Sequence, residues 1–167
     1  VYSNSASNQG VSVELLATLK AGLICSVGGV SGLLSKMTPA PTTDCPALAD
    51  PLGNRPPPTV GGCDHHGLRI KDKTVALDPG TYCGGIEIAG KAKVTFSPGT
   101  YVIKDGRFRI TDDATVKGTN VGFYLLGDGS NIDFIKNTSI SFSGAKDGAM
   151  AGLLFYEDRN APLARSH

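Results

Sequence analysis

Apolar residues recur along this chain in short alternating pairs. Leu68/Ile70, Ile86/Ile88, Phe108/Ile110 and Ile132/Phe134 share one pattern, and their first members lie 18, 22 and 24 residues apart. A second series follows each pair: Val75/Leu77, Val94/Phe96, Val116/Gly118 and Ile140/Phe142. A third comes after a Pro-Gly turn: Thr81-Tyr82-Cys83, Thr100-Tyr101-Val102, then Phe123-Tyr124-Leu125. Leu153-Leu154-Phe155-Tyr156 closes the list after a longer connection. Alternation of this kind is the period of a strand with one buried face.

Self-similarity near 20 residues predicts a solenoid. Each coil of about 18–24 residues holds three short strands. Stacking coils about 4.8 Å apart lets every strand pair in parallel with its copies. One coil alone could not bury its apolar face, so the pattern has to repeat. Pro79-Gly80-Thr81-Tyr82 returns as Pro98-Gly99-Thr100-Tyr101, 19 residues on, and reads as corresponding corners of adjacent coils. Lys104-Asp105-Gly106 reads as a three-residue corner insertion. The fold expected is all-β: a single-stranded, right-handed parallel β-helix, the hand following the rule for parallel crossovers.

Towards the amino terminus, Val11/Val13, Ala17/Leu19 and Leu23-Ile24-Cys25 repeat the three-strand order. A short helix is the alternative there, because VSVELLATLKAGL also carries helical spacing. One domain over 1–167 is expected, interrupted by a long excursion loop at 28–67. Its densest part, 36–63, holds seven prolines, which lack the donor a central strand needs. A loop of this length is either functional or fastened down.

Composition agrees with a β fold. Apolar residues make up 40% of 167, Gly 22 and Pro 10, with no Trp. Sixteen basic against fifteen acidic residues, with no basic block, leave no footprint for nucleic acid. No apolar run approaches the roughly 18 residues of a membrane span. The chain starts at Val1 on polar residues, which reads as a processed chain or a fragment.

The four cysteines, Cys25, Cys45, Cys63 and Cys83, lack zinc-site spacing and fit two disulfides in an oxidising compartment. Cys63 precedes Leu68 much as Cys83 precedes Ile86, which favours Cys63–Cys83 with Cys25–Cys45. Cys25 and Cys83 also align in the third-strand series, so Cys25–Cys83 with Cys45–Cys63 stays open.

Candidate chemistry is sparse. Asp112-Asp113 is the best carboxylate pair, and two carboxylates can divide acid and base roles in glycoside hydrolysis. RITDDA is similar to a segment of pectin-degrading β-helix enzymes, but their asparagine-aspartate and histidine-glycine elements are missing downstream. A polar corner is the stronger reading. His65-His66 beside Asp64 reads as a solvated loop, since adjacent strand residues face opposite ways and rarely chelate one ion. Gly61-Gly62 and Gly84-Gly85 fit no phosphate-loop pattern and read as corners. FYEDRN (155–160) reads as an ion-pair cluster or a docking surface, and Ser3, Asn4, Ser5, Ser7 and Asn8 as a structural ladder. Thr74, Thr95, Thr115 and Thr138 make no regular rank of the kind a flat ice-binding face needs. No enzyme activity, cofactor or metal is expected.

In their order, VYSNSASNQGVSV, ICSVGG, CPALADPL, PPPTVGGC, LDPGTYCGGIEI, SPGTYVIKDG and MAGLLFYEDRNAP resemble TadE/TadG-like proteins, the Flp (Tad) pilus-assembly proteins of bacteria. The resemblance spans nearly the whole chain. It implies an envelope protein with an amino-terminal membrane helix and a large extracytoplasmic part. This chain would then be the exported part, periplasmic or on the cell surface, with its membrane anchor outside the sequence. LARSH ends without a polar cap, which fits a piece. The resemblance implies a structural role in building or anchoring a pilus, with other pilus-assembly or envelope proteins as partners. It supplies no catalytic residues. A surface polysaccharide is the alternative partner, although few of the five Tyr look outward.

Overall fold

The computed structural model describes residues 1–161 and is a parallel β-solenoid, with stacked coils of short strands. LARSH, read from the sequence as an end without a polar cap, lies outside the described residues. The chain divides into two compact units, Val1–Asn54 and Arg55–His167.

The first unit stacks two small coils. Strands β1 (Tyr2–Ser3), β2 (Val11–Val13) and β3 (Leu19–Lys20) pair in parallel with β4 (Cys25–Ser26), β5 (Val30–Gly32) and β6 (Met37–Thr38). The helical alternative for Val11–Leu19 is not adopted. Val11 and Val13 point inward to Ile24 and Met37, while Leu15 and Leu16 are exposed. The expected excursion at 28–67 is in part coil, since β5 and β6 fall within it. The polar start is held by local turns: Ser3, Ser5 and Ser7 each accept, through Oγ, the N–H two residues on.

The second unit stacks four coils. The first comprises β7 (His65–Lys71), β8 (Thr74–Leu77) and the start of β9 (Gly80–Ala89). The rest of β9, with β10 (Lys93–Phe96) and β11 (Gly99–Lys104), makes the second. The third is β12 (Phe108–Ile110) and the two halves of β13 (Thr115–Leu126). The fourth is β14 (Ile132–Phe134), β15 (Ser139–Gly144) and β16 (Phe155–Glu157). All these pairings are parallel.

Two of the three sequence series stack as read. Leu68, Ile86, Phe108 and Ile132 form one rank, and Val75, Val94, Val116 and Ile140 another. The third series slips. Tyr82 pairs with Ile103, and Tyr101 with Gly80 on one side and Phe123 on the other. The second coil carries two more residues between Phe96 and Ile103 than the first carries between Leu77 and Tyr82, and the turn absorbs them.

Inside the coils all six phenylalanines join one aromatic core. Phe96 meets the rings of Tyr101, Phe108, Phe123 and Phe142 edge-on, with centroids 5.0–5.8 Å apart. Each buried Phe is worth about 1.5–3 kcal/mol relative to exposure. Edge-to-face contacts add to that.

Corners follow a rule of their own. Asp72, Gly90, Asp112 and Lys136 each fall two residues after the second apolar residue of a first strand, and each has φ between 53° and 66°. A left-handed residue turns the chain sharply, and Gly and Asp adopt that conformation at little cost.

Candidate functional site

The candidate residues separate once placed on this frame. Asp112 sits at the left-handed corner with both carboxylate oxygens engaged. Oδ2 accepts the Gly90 N–H at 3.1 Å, and Oδ1 pairs with Lys136 Nζ at 2.5 Å. Those two contacts, Lys136 first, hold its carboxyl below the usual carboxylate range. A general acid needs the opposite shift. Asp113 is exposed beside it. Asp112 is a corner staple between coils, and Asp72 does the same for the Lys91 N–H at 2.8 Å.

His65 and His66 are exposed, but they lie in β7 and not in a loop. Sequence gives little sign of this strand because its apolar partner is aromatic and distant in the chain: the His65 ring stacks on Tyr82 at 4.6 Å. Asp64 accepts the Thr81 N–H at 2.8 Å. Among the described residues no three His, Cys, Asp or Glu side chains are placed to hold a metal ion.

The cysteines form Cys25–Cys45 and Cys63–Cys83, each closing a separation of 20 residues. They fasten the proline-rich stretch in both units. In the first, the Tyr2 hydroxyl donates to the Pro46 carbonyl, and the Asn4 amide exchanges two hydrogen bonds with Leu48. In the second, the Arg55 guanidinium donates to the carbonyls of Ala149, at 2.9 Å, and Ala151. Tyr156 donates to the Arg55 carbonyl at 3.3 Å. In FYEDRN, the Arg159 guanidinium lies 5.2 Å from the centre of the Tyr156 ring and donates to its hydroxyl.

The three faces of the second unit therefore differ in kind. On the face of β11, β16 and the second half of β13, outward Val102 and Tyr124 are buried with Ala145 and Met150, and Val60, Leu153 and Tyr156 pack against them. That face is covered. Burial also raises the Tyr124 hydroxyl above its ordinary pKa, with nearby Asp158 adding to the shift.

The face of β7, β12, β14 and the second half of β9 carries Arg69, Glu87, Arg109 and Asp133 in one outward rank. The signs alternate, and they pair off: Arg69 with Glu87 at 3.5 Å, Arg109 with Asp133 at 3.2 Å. The rank satisfies its own charge, and exposed Lys71 at the end of β7 lies beyond it. A shallow cleft of about 240 Å³ at its margin adds Arg107.

The remaining face, on β8, β10, the first half of β13 and β15, is open. Its outward ranks are Thr74-Lys93-Thr115-Ser139 and Ala76-Thr95-Lys117-Ser141. All eight are exposed. Just beyond lie Ser97 and Thr119, and a groove of about 500 Å³ runs between Thr95, Ser97, Lys117, Thr119 and Ser141, with Phe96, Pro98 and Gly118 also lining it. Lysines interrupt the threonine columns, and Thr138 lies outside the strands.

No helix among the described residues is long and apolar enough to cross a membrane. Comparison with protein-family models, with curated proteins and with solved structures finds no match to this chain.

Proposed function

We propose that this chain is a non-enzymatic extracytoplasmic module of a Flp/Tad-type pilus-assembly protein, working through its surface as a structural and protein-interaction element. The two disulfides support an oxidising environment outside the cytoplasm. The order of the sequence fragments from VYSNSASNQGVSV to MAGLLFYEDRNAP supports the pilus-assembly family.

The observation that carries the interaction role is the fourth coil. Its inward residues Ile132, Phe134, Ile140, Phe142 and Phe155 are half-buried, whereas Phe108, Ile110, Val116 and Phe123 one coil earlier are at most 1% exposed. Strands β14, β15 and β16 each pair on one side only among the described residues. An apolar interior and a strand edge presented together accept further β structure, whether later coils of the same chain or a partner's strand.

In-frame deletion of this module in the native host, with any membrane anchor still expressed, tests the proposal. Surface pili are counted by electron microscopy. Loss of pili, restored by the intact gene, is expected. Normal pili with the shortened protein verified in the envelope would overturn it. Asp112→Asn and Asp113→Asn are expected to restore pili as well as the unaltered gene does.

A further inference from the structure

We propose that the open face of β8, β10, β13 and β15 binds an anionic polysaccharide, held by Lys93 and Lys117 and the hydroxyls around them. Neither lysine has a part in the pilus reading, which rests on the inward residues and strand edges of the fourth coil.

Three observations carry the assignment. The first is elimination among the faces: one is covered by the proline-rich strap and Met150, one pairs its central rank as Arg69–Glu87 and Arg109–Asp133, and this one is neither covered nor paired. The second is charge. Among the described residues neither Lys93 nor Lys117 has an acidic partner within ion-pair distance, and no Asp or Glu occupies the two outward ranks. Asp78, at the margin, accepts the Ser97 hydroxyl at 3.0 Å. The face therefore presents two uncompensated cations in a field of Thr and Ser. The third is shape, the groove of about 500 Å³ between Thr95 and Ser141 with Lys117 on its wall.

The same residues argue against other occupants. A protein interface is enriched in aromatic residues, Met and Arg and depleted in Lys and Ser. These ranks hold no aromatic, no Met, no Arg, and Ala76 as their only apolar side chain. Single-stranded nucleic acid calls for stacking platforms, which are likewise missing from the ranks. A hydrated polymer rich in hydroxyls, with anionic groups at intervals, matches what the face offers. Each Thr or Ser hydroxyl donates and accepts, as sugar hydroxyls do. Each ammonium is a mobile point charge.

The geometry sets the binding mode. Lys117 lies one coil on from Lys93 and two residues along, about 8 Å away from strand spacing and rise. Their flexible stems tolerate variation in the polymer's repeat. Without a stacking aromatic, affinity comes from charge, so single contacts are weak and salt-sensitive. A long chain gains by engaging many copies at once.

The test titrates the disulfide-intact protein with polygalacturonate at low ionic strength, alongside dextran sulfate, neutral dextran and duplex DNA. Binding to both anionic polysaccharides and not to neutral dextran is expected. Lys93→Gln/Lys117→Gln is expected to weaken it about tenfold. Arg69→Gln/Arg107→Gln removes the same charge from the other face and should change it less than twofold. Thr95→Glu, which places a carboxylate in the groove, should weaken binding without touching either lysine. The proposal is overturned by absence of binding, by equal loss in the two double variants, by equal affinity for neutral dextran, or by tighter binding of DNA.

Discussion

The hydroxyl of Tyr101 reaches back one coil to the carbonyl of Leu77, at 2.7 Å. It also lies 2.8 Å from the carbonyl of Ser97, four residues earlier in its own coil. Tyr82 makes the corresponding local contact with Asp78 at 2.6 Å. Both rings are wholly buried, with centroids 5.9 Å apart. The two local acceptors, Asp78 and Ser97, each immediately precede the proline of a Pro-Gly-Thr-Tyr turn. The repeated motif is thus a clamp in which a tyrosine plugs the interior and its hydroxyl locks the corner it follows.

Tyr101→Phe keeps the ring and removes the clamp. Leu77 retains another donor, the Ser97 N–H at 2.9 Å, so the Ser97 carbonyl bears most of the loss. The expected cost is about 1–2 kcal/mol. Tyr101→Ala, which empties the site, should cost about 3–5 kcal/mol. Urea unfolding followed by near-ultraviolet circular dichroism measures both.

The clamps also fix an alkaline limit. Burial, then Asp78 and Asp64, push the Tyr82 hydroxyl up from its ordinary 10.0 to about 12. Burial, with Tyr82 and Asp78 adding, raises Tyr101 as well. A raised folded value means the native state favours the neutral phenol. Its contribution is fully present below pH 10 and is lost as pH rises towards 12. The urea midpoint should therefore fall above pH 10, with phenolate absorbance from these two rings appearing together with unfolding. Tyr82→Phe should flatten that fall.

The clamp explains why the third sequence series slips. Each Pro-Gly-Thr-Tyr turn keeps its tyrosine four residues from the carbonyl it bonds, so the two copies look alike at 19 residues wherever their strands lie, and those strands stack at an offset of 21, Tyr82 beside Ile103. The apolar-x-apolar series have no such local demand. They record inward packing alone, and their ranks are in register. The covered face is legible in principle, since Tyr101-Val102-Ile103 and Phe123-Tyr124-Leu125 are unbroken apolar runs and such runs mark strands buried on both faces. What covers them is not, because Val60 and Met150 are distant in the chain. The open face is hidden for a simpler reason. It shows as no column of threonines, because the strands place Lys93 between Thr74 and Thr115.

The two disulfides should differ in access. Cys25 and Cys45 are buried, while Cys63 is exposed. A hydrophilic thiol is expected to open Cys63–Cys83 first, because exchange requires attack on a sulfur. Timed alkylation with peptide mapping reads the order, and simultaneous opening would contradict it. Each bridge closes a loop of 20 residues, so Cys→Ser at either pair should cost about 2–4 kcal/mol.

Glycine substitution separates corners from strap. Gly85 has φ +85°, and a Cβ there would lie 2.3 Å from the Arg107 carbonyl oxygen of the next coil. Strain and backbone collision act together, and neither can be relieved by rotating a side chain. Gly85→Ala should destabilise the second unit by about 2–4 kcal/mol. At Gly62 a Cβ would meet nothing within 4 Å, and φ is not positive, so Gly62→Ala should stay within about 0.5 kcal/mol of the parent. Equal midpoints for the two variants in urea would mean that the coils at Gly85 and Arg107 do not stack this closely in solution.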